Sequence, residues 1–183
     1  MKSLAGHFLV AAPRLDDPNF ARAVVLMLQH ETEGALGVVV NRPGVKTIRE
    51  VWQMIGAEPC DCEQLVFVGG PVPGPLIALH DSEANAEREV MPGLFMAMQR
   101  DAIDALVRDP QARFRLFSGH AGWAGGQLEG ELQTGSWLTV RAAVDEVFGP
   151  HDELWKGVCS RIGRQIVVPR LPPACLPEDP QLN

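Results

Sequence analysis

The residue types best suited to chemistry crowd into one stretch. "FSGHAGWAGGQLEGEL", from Phe117 to Leu132, holds five glycines, a histidine, a tryptophan, a glutamine and two glutamates in sixteen positions. A glycine-rich turn that opens a helix presents unpaired N–H groups, which suit an anion. His120, Gln127 and Glu129 would add polar contacts to such a site. The same composition also serves a plain structural turn. Gly119 and Gly122 allow close backbone approach, Gly125 and Gly126 allow positive φ, and Trp123 plugs the core. Neither the phosphate-loop pattern nor a strand followed by G-x-G-x-x-G occurs.

A second group lies upstream. "VVVNRP" puts Asn41 and Arg42 at the end of an apolar run. Asn bonds its own backbone in turns, and Pro43 stops the strand. Arg42 could instead grip a carboxylate or phosphate with two N–H groups. His30 closes the preceding apolar run, either as a turn residue or facing Asn41 across a hairpin mouth. The candidate ligand-binding set is therefore His30, Asn41, Arg42, His120, Trp123 and Gln127. One shared pocket requires the strand end and the glycine-rich turn to be neighbours. Acid–base catalysis at His120 or His30 requires a carboxylate or nucleophile within hydrogen-bond reach of the ring. His7 and His80 read as lone strand-end histidines. There is no G-x-S-x-G elbow, H-E-x-x-H or H-x-x-E-H, so zinc hydrolysis is not expected. The reading leans away from an enzyme and includes no metal and no cofactor.

The elements that must carry these residues fit one domain over 1–183. The chain is 46% hydrophobic and 21% charged, ordinary values for a folded domain. Its formal net charge is −7, and its sixteen Lys and Arg are scattered, with no basic stripe to meet a phosphate backbone. Direct nucleic-acid binding is not expected. The apolar run Phe8–Ala12 is too short for a signal core and no stretch suits a membrane span. A cytoplasmic protein follows, with Cys60, Cys62, Cys159 and Cys175 as free thiols.

Strands are expected at "HFLVAA", at "AVVLMLQH" and "ALGVVVNRP" as a hairpin with a four- or five-residue loop, and at "QLVFV", "PLIALH", "ARFRLFSG" and "SWLTV". A further short strand is expected in "VMPGLFMAM". Nearly continuous apolar character implies a sheet covered on both faces. Helices are expected at "TIREVWQMIG", "QRDAIDALVRDP" and "HDELWKGVCSRIG". Thr47 and Glu50 have capping-box spacing, with Ile48, Val51, Trp52 and Ile55 on the inner face. In "ARFRLFSG", Arg113 and Arg115 alternate with Phe114 and Leu116, giving one wetter face. The proline-rich tail from about residue 169 reads as extended over the surface. Irregular alternation with several hairpins points to α+β with a largely antiparallel sheet.

Three stretches, in order, carry a resemblance. Residues 7–43, "VFVGGPV" at 66–72 and the glycine-rich stretch together resemble the YqgE/AlgH family, over nearly the whole chain to about Ile166. The resemblance implies a bacterial cytoplasmic protein with a bifurcated sheet, part of it closed like a small barrel, surrounded by helices. One branch of that family is described as a transcriptional regulator connected with alginate production, and no reaction is implied. The implied role is regulatory, through an unidentified small molecule or protein partner. Where the family usually has Gly-Tyr-Ala-Gly-Trp, this chain has His120 at the second position. An imidazole there can still hydrogen-bond.

Overall fold

The computed structural model describes residues 3–167. In chain order its elements are β1 (His7–Ala11), β2 (Val24–Glu31), β3 (Gly34–Val39), β4 (Pro43–Thr47), α1 (Ile48–Met54), β5 (Leu65–Val68), β6 (Ile77–His80), a 3-10 turn (Glu83–Asn85), β7 (Arg88–Met91), β8 (Leu94–Ala97), α2 (Arg100–Arg108), β9 (Phe114–Ser118), β10 (Ala121–Ala124), α3 (Gln127–Gln133), β11 (Trp137–Arg141), α4 (Val144–Phe148) and α5 (Leu154–Val167). The proline-rich tail and Cys175 lie outside the described residues.

Two sheets form. The first runs β10-β3-β2-β1-β11 and the second β4-β5-β9-β6-β8-β7. Every strand pair is antiparallel except β5 with β9. The expected α+β class is what the chain adopts. The barrel-like part does not close among the described residues. α3 links β10 to β11 across the face of the first sheet, with Leu128 buried beneath it, so the two edges stay apart.

Strand periodicity explains the layers. On β1 and β2, Phe8, Val10, Val24, Leu26 and Leu28 face one side, into the core between the sheets. Leu9, Ala11, Val25 and Met27 face the other, under α3. Both faces are dry, which is why these strands read as continuous apolar runs. A third cluster packs α1 and α2 against the far face of the second sheet through Ile48, Trp52, Ile103 and Leu106. α4 and α5 seal the central core with Val147, Val158 and Ile162, and the Trp155 indole donates to the Ala11 carbonyl at 2.9 Å.

Several local expectations need correction. The β2–β3 hairpin turns on two residues, Thr32 and Glu33, because Glu31 pairs with Gly34. Pro43 begins a strand as well as ending one: β4 is an edge, where its missing N–H leaves no ladder gap. "VMPGLFMAM" folds as the β7–β8 hairpin, turning at Pro92-Gly93. α4 has no counterpart in the sequence reading. The Thr47–Glu50 capping box forms as expected, but Ile55 lies past the helix and is 51% exposed. Ser118–Ala124 is mostly strand: the glycine-rich stretch is β9, a crossing and β10 before any turn.

His80 is fully buried in β6, its ring near Phe95, with no hydrogen-bond partner on either ring nitrogen. Burial pushes its pKa below the usual 6.5, with the nearby Ser82 backbone and then Asp81 and Glu87 opposing more weakly. The unfolded chain therefore binds this proton more readily. Stability is fully present above the unfolded value and falls as pH drops from about 6.5 toward the lower folded value. His80→Leu removes two unpaired polar atoms and is expected to stabilise by about 1 kcal/mol at neutral pH. Urea titrations from pH 7.5 to about 5 should show a shallower acid loss in the variant. Equal slopes would refute this account.

Candidate functional site

The three sequence motifs meet where the two sheets part. Two chain segments cross from one sheet to the other. β3 passes into β4 through Val40, Asn41 and Arg42, and β9 passes into β10 through Gly119 and His120. The Gly69-Gly70 segment after β5 lies between them. Val39 N–H donates to the Gly69 carbonyl at 2.7 Å, Val68 N–H to Arg42 O at 2.9 Å and Gly69 N–H to Ser118 O at 2.9 Å. Val72 and His120 exchange both backbone bonds, at 2.9 and 3.0 Å. Glycine is required here by close approach. A Cβ on Gly119, at φ +74°, would lie 2.7 Å from Gly70 O, and one on Gly70 would lie 2.5 Å from the Ala121 nitrogen and nearer still to the His120 carbonyl.

The side chains of these motifs have intramolecular work. Asn41 Oδ1 accepts from Val24 N–H and Nδ2 donates to Arg22 O, both at 2.9 Å. This holds Arg22 at φ 55°, a left-handed conformation that residues other than glycine rarely take. Arg42 donates to the carbonyls of Asn19 and Ala21, fastening the same loop. Burial lowers the Arg42 pKa, with Asp17 opposing. Asn41 thus acts as the turn device that its position suggests. The His120 ring lies against Gly74. Gln127 Oε1 accepts from Ala124 N–H at 3.1 Å, and its Nε2 donates to Glu131 Oε1 at 3.0 Å. Glu131 Oε2 takes both the Trp123 and Trp137 indole N–H groups, at 3.0 and 2.7 Å.

His30 does not face Asn41. Asn41 bonds to Val24 at one end of β2, and His30 is at the other, roughly 20 Å along the strand. Its ring is under α3, where Nδ1 accepts from Leu4 N–H at 3.1 Å and Nε2 donates to Glu129 Oε1 at 3.0 Å. Glu129's own backbone N–H, and then His30, hold its carboxyl below the usual value. A histidine–carboxylate pair is what acid–base chemistry needs, but both ring nitrogens are engaged and the side chain is 3% exposed. The geometry suits an anchor that ties the N-terminal segment to α3.

The larger open spaces lie elsewhere. One cavity of about 480 Å³ is lined by Gln64, Phe67, Arg113, Arg115, Phe148 and His151, among others. It opens at the mouth of the central core, between the starts of β5 and β9 and the end of α4. A second of about 480 Å³ shares Gln64, Ala112 and Phe114 with it and extends past Cys60, Cys62 and Arg108. Asn41, Arg42 and His120 line neither. Burial pushes the Cys62 thiol up, away from the reactive thiolate. Among the described residues no group of three or more His, Cys, Asp or Glu is placed to hold a metal ion.

Comparison with known proteins agrees with the motifs. The AlgH-like family model matches residues 8–167. The chain belongs to the AlgH-like family. It is 42% identical to a UPF0301 protein of Myxococcus xanthus over 160 residues, covering 85% of this chain and 88% of the relative. A UPF0301 protein of Stenotrophomonas maltophilia is 41% identical over 169 residues, with 88% and 90% covered. The solution structure of the AlgH protein from Pseudomonas aeruginosa superposes with a TM-score of 0.77 at 30% identity, covering 93% of this chain and 95% of that one.

In this AlgH-like chain the motifs recognisable in sequence are therefore those that build the sheet crossing. The groove residues escape motif reading. Arg113 and Arg115 are visible only as the wetter face of "ARFRLFSG", and His151 only as part of a helix start. What brings them together is the packing of α4 over β9. The Arg115 guanidinium donates to the carbonyls of Val40, Val147 and Gly149 at 3.2, 2.7 and 3.0 Å. It also lies 4.3 Å over the Phe67 ring. Among the described residues no carboxylate pairs with it, and burial lowers its pKa. No helix among the described residues is long and apolar enough to cross a membrane.

Proposed function

We propose that this AlgH-like protein is a cytoplasmic regulator that binds a small molecule and catalyses no reaction. The observation that carries this reading is the groove around Arg115. It borders a cavity of about 480 Å³, a volume that suits a metabolite, and it mixes aromatic walls with a few convergent polar groups. The catalytic alternative is supported by the His30–Glu129 pair, and the burial of that ring weighs against it. A role through direct DNA contact is disfavoured by the net charge of −7. The original candidates, Asn41, Arg42 and His120, support the reading indirectly, by building the crossing to which Val40 and hence Arg115 are attached.

A thermal-shift screen against cellular metabolites tests it, using wild type, His151→Ala, Gln64→Ala, Arg42→Ala and His120→Ala. A ligand at about 100 times its Kd adds roughly 2.7 kcal/mol, a rise on the order of 5–10 °C for a chain of this size. The expected hit is weakened by His151→Ala and Gln64→Ala and kept by His120→Ala. A hit lost only in Arg42→Ala or His120→Ala would move the site to the crossing. No hit across the screen would replace the small molecule with a protein partner.

A further inference from the structure

We propose that the groove selects an organic oxyanion: a carboxylate or phosphate monoester carried on a flat apolar group. The proposal rests on the groove being a ligand site and adds the chemistry of what it takes.

Arg113 and Arg115 stand two apart at the start of β9, so both lean to one face of the sheet. Each guanidinium lies over an aromatic ring, Arg113 at 4.8 Å from the Phe148 centroid and Arg115 at 4.3 Å from that of Phe67. Stacking covers the flat face of a guanidinium and leaves its N–H groups to meet partners in plane; on Arg115 three of the five go to carbonyls, and Nε–H remains for a carboxylate or phosphate. Arg115 is held in this pose by three carbonyls, so little rotamer freedom remains to be lost on binding. Carbonyl partners supply dipoles and leave its charge unneutralised. Its Nε–H has no partner among the described residues, and it is not one of the buried unpaired atoms.

The other charges set the rim. Arg113 donates to Asp145 at 2.8 Å, and Asp145 is 88% exposed, so a ligand anion can displace it at little cost. His151 stacks edge-on against Phe67 at 5.3 Å, with Asp152 at 3.3 Å facing solvent. The apolar part of the ligand has a wall beside the arginines. Leu65, Phe67 and Phe148 line the same cavity. An anion alone would leave this wall uncovered, which is why the proposal names a larger molecule.

The test uses the full chain, 15N-labelled, titrated with phenyl phosphate, benzoate and neutral benzyl alcohol. The readouts are the backbone amides of 64–67 and 113–115 and the Arg115 Nε–H. Both anions are expected to shift these signals and to bind at least about tenfold more tightly than the alcohol, a gap of about 1.4 kcal/mol. Arg113→Gln, at a half-exposed side chain, is expected to weaken both anions about tenfold (from the same conversion) and leave the alcohol unchanged. Inorganic phosphate is expected to bind more weakly than phenyl phosphate. Equal binding of anions and alcohol, indifferent to Arg113→Gln, would overturn the oxyanion assignment while leaving the groove a ligand site. Shifts confined to residues outside the groove would overturn both.

Discussion

Gly70→Ala is expected to remove about 4 kcal/mol or more of stability, at the upper end of what single substitutions do. The added Cβ would enter the backbone of His120 and Ala121, where no flexible side chain can yield. The φ of +155° adds strain that does not depend on space. Relief requires the two crossing segments to separate, which breaks the paired bonds between Val72 and His120. Since a domain holds only about 5–15 kcal/mol in total, much of the population should unfold in mild denaturant. Gly130→Ala is the internal control. Gly130 lies inside α3, nothing is within 4 Å of its would-be Cβ, and Ala there should stabilise by about 0.5–1 kcal/mol. Urea midpoints of the two variants decide the matter. A Gly70→Ala midpoint near wild type would mean the crossing is softer than its contacts imply.

The second large effect is expected at Glu131. Its carboxylate takes two indole N–H groups and the Gln127 amide, and Trp123 and Trp137 are 6% and 4% exposed. Glu131→Ala leaves two donors unpaired in surroundings that water scarcely reaches. Each orphaned donor costs about 1–3 kcal/mol, so the expected loss is about 2–4 kcal/mol, or a Tm lower by about 6–12 °C. Glu131→Gln keeps one acceptor oxygen and should lose roughly half as much. The Trp123 and Trp137 rings sit 6.0 Å apart and edge-on, so near-UV dichroism reports the same event locally. An alanine variant with unchanged stability and an unchanged aromatic spectrum would show that water substitutes for the carboxylate.

These two positions show how differently sequence exposes structure and site. The Glu131 contacts with Trp123 and Trp137 appear only in the fold, whereas Gly70 belongs to a motif that can be read by eye, because paired glycines leave a local mark. Strand and helix positions were legible for the same reason: apolar periodicity is a short-range signal, and it located β1, β2, β3, β9, α1, α2 and α5. Only one strand is read where β7 and β8 form a hairpin, because Pro92-Gly93 splits a short apolar run, and α4 goes unread because five residues hold little more than one helical turn. The role of β4 was missed because Pro43 looks like a stop unless the strand is known to be an edge. The groove was not legible at all. Arg115 is defined by carbonyls at positions 40, 147 and 149, a set that exists only after the sheets have crossed and α4 has closed over them. Of the two readings of His30, a turn residue or a partner of Asn41 across the hairpin mouth, the second fails because Asn41 bonds at Val24, the far end of β2.

The order of the first sheet bears on how the chain is made. β1 pairs with β2 on one side, but its other neighbour is β11, with His7 opposite Arg141 and Ala11 opposite Trp137. Phe8, Leu9, Val10 and Ala11 are all fully buried once that partner is in place. During translation at roughly 5–20 residues per second, the intervening ~130 residues take about 7–26 s to appear. Throughout that interval the nascent chain carries an apolar strand with one open ladder, the kind of edge that recruits other chains. The same long-range closure places this domain among slow folders, since loop entropy is lost before the pairing that compensates it. Until β11 arrives, β1 is therefore an edge of this sheet open to pairing with another chain.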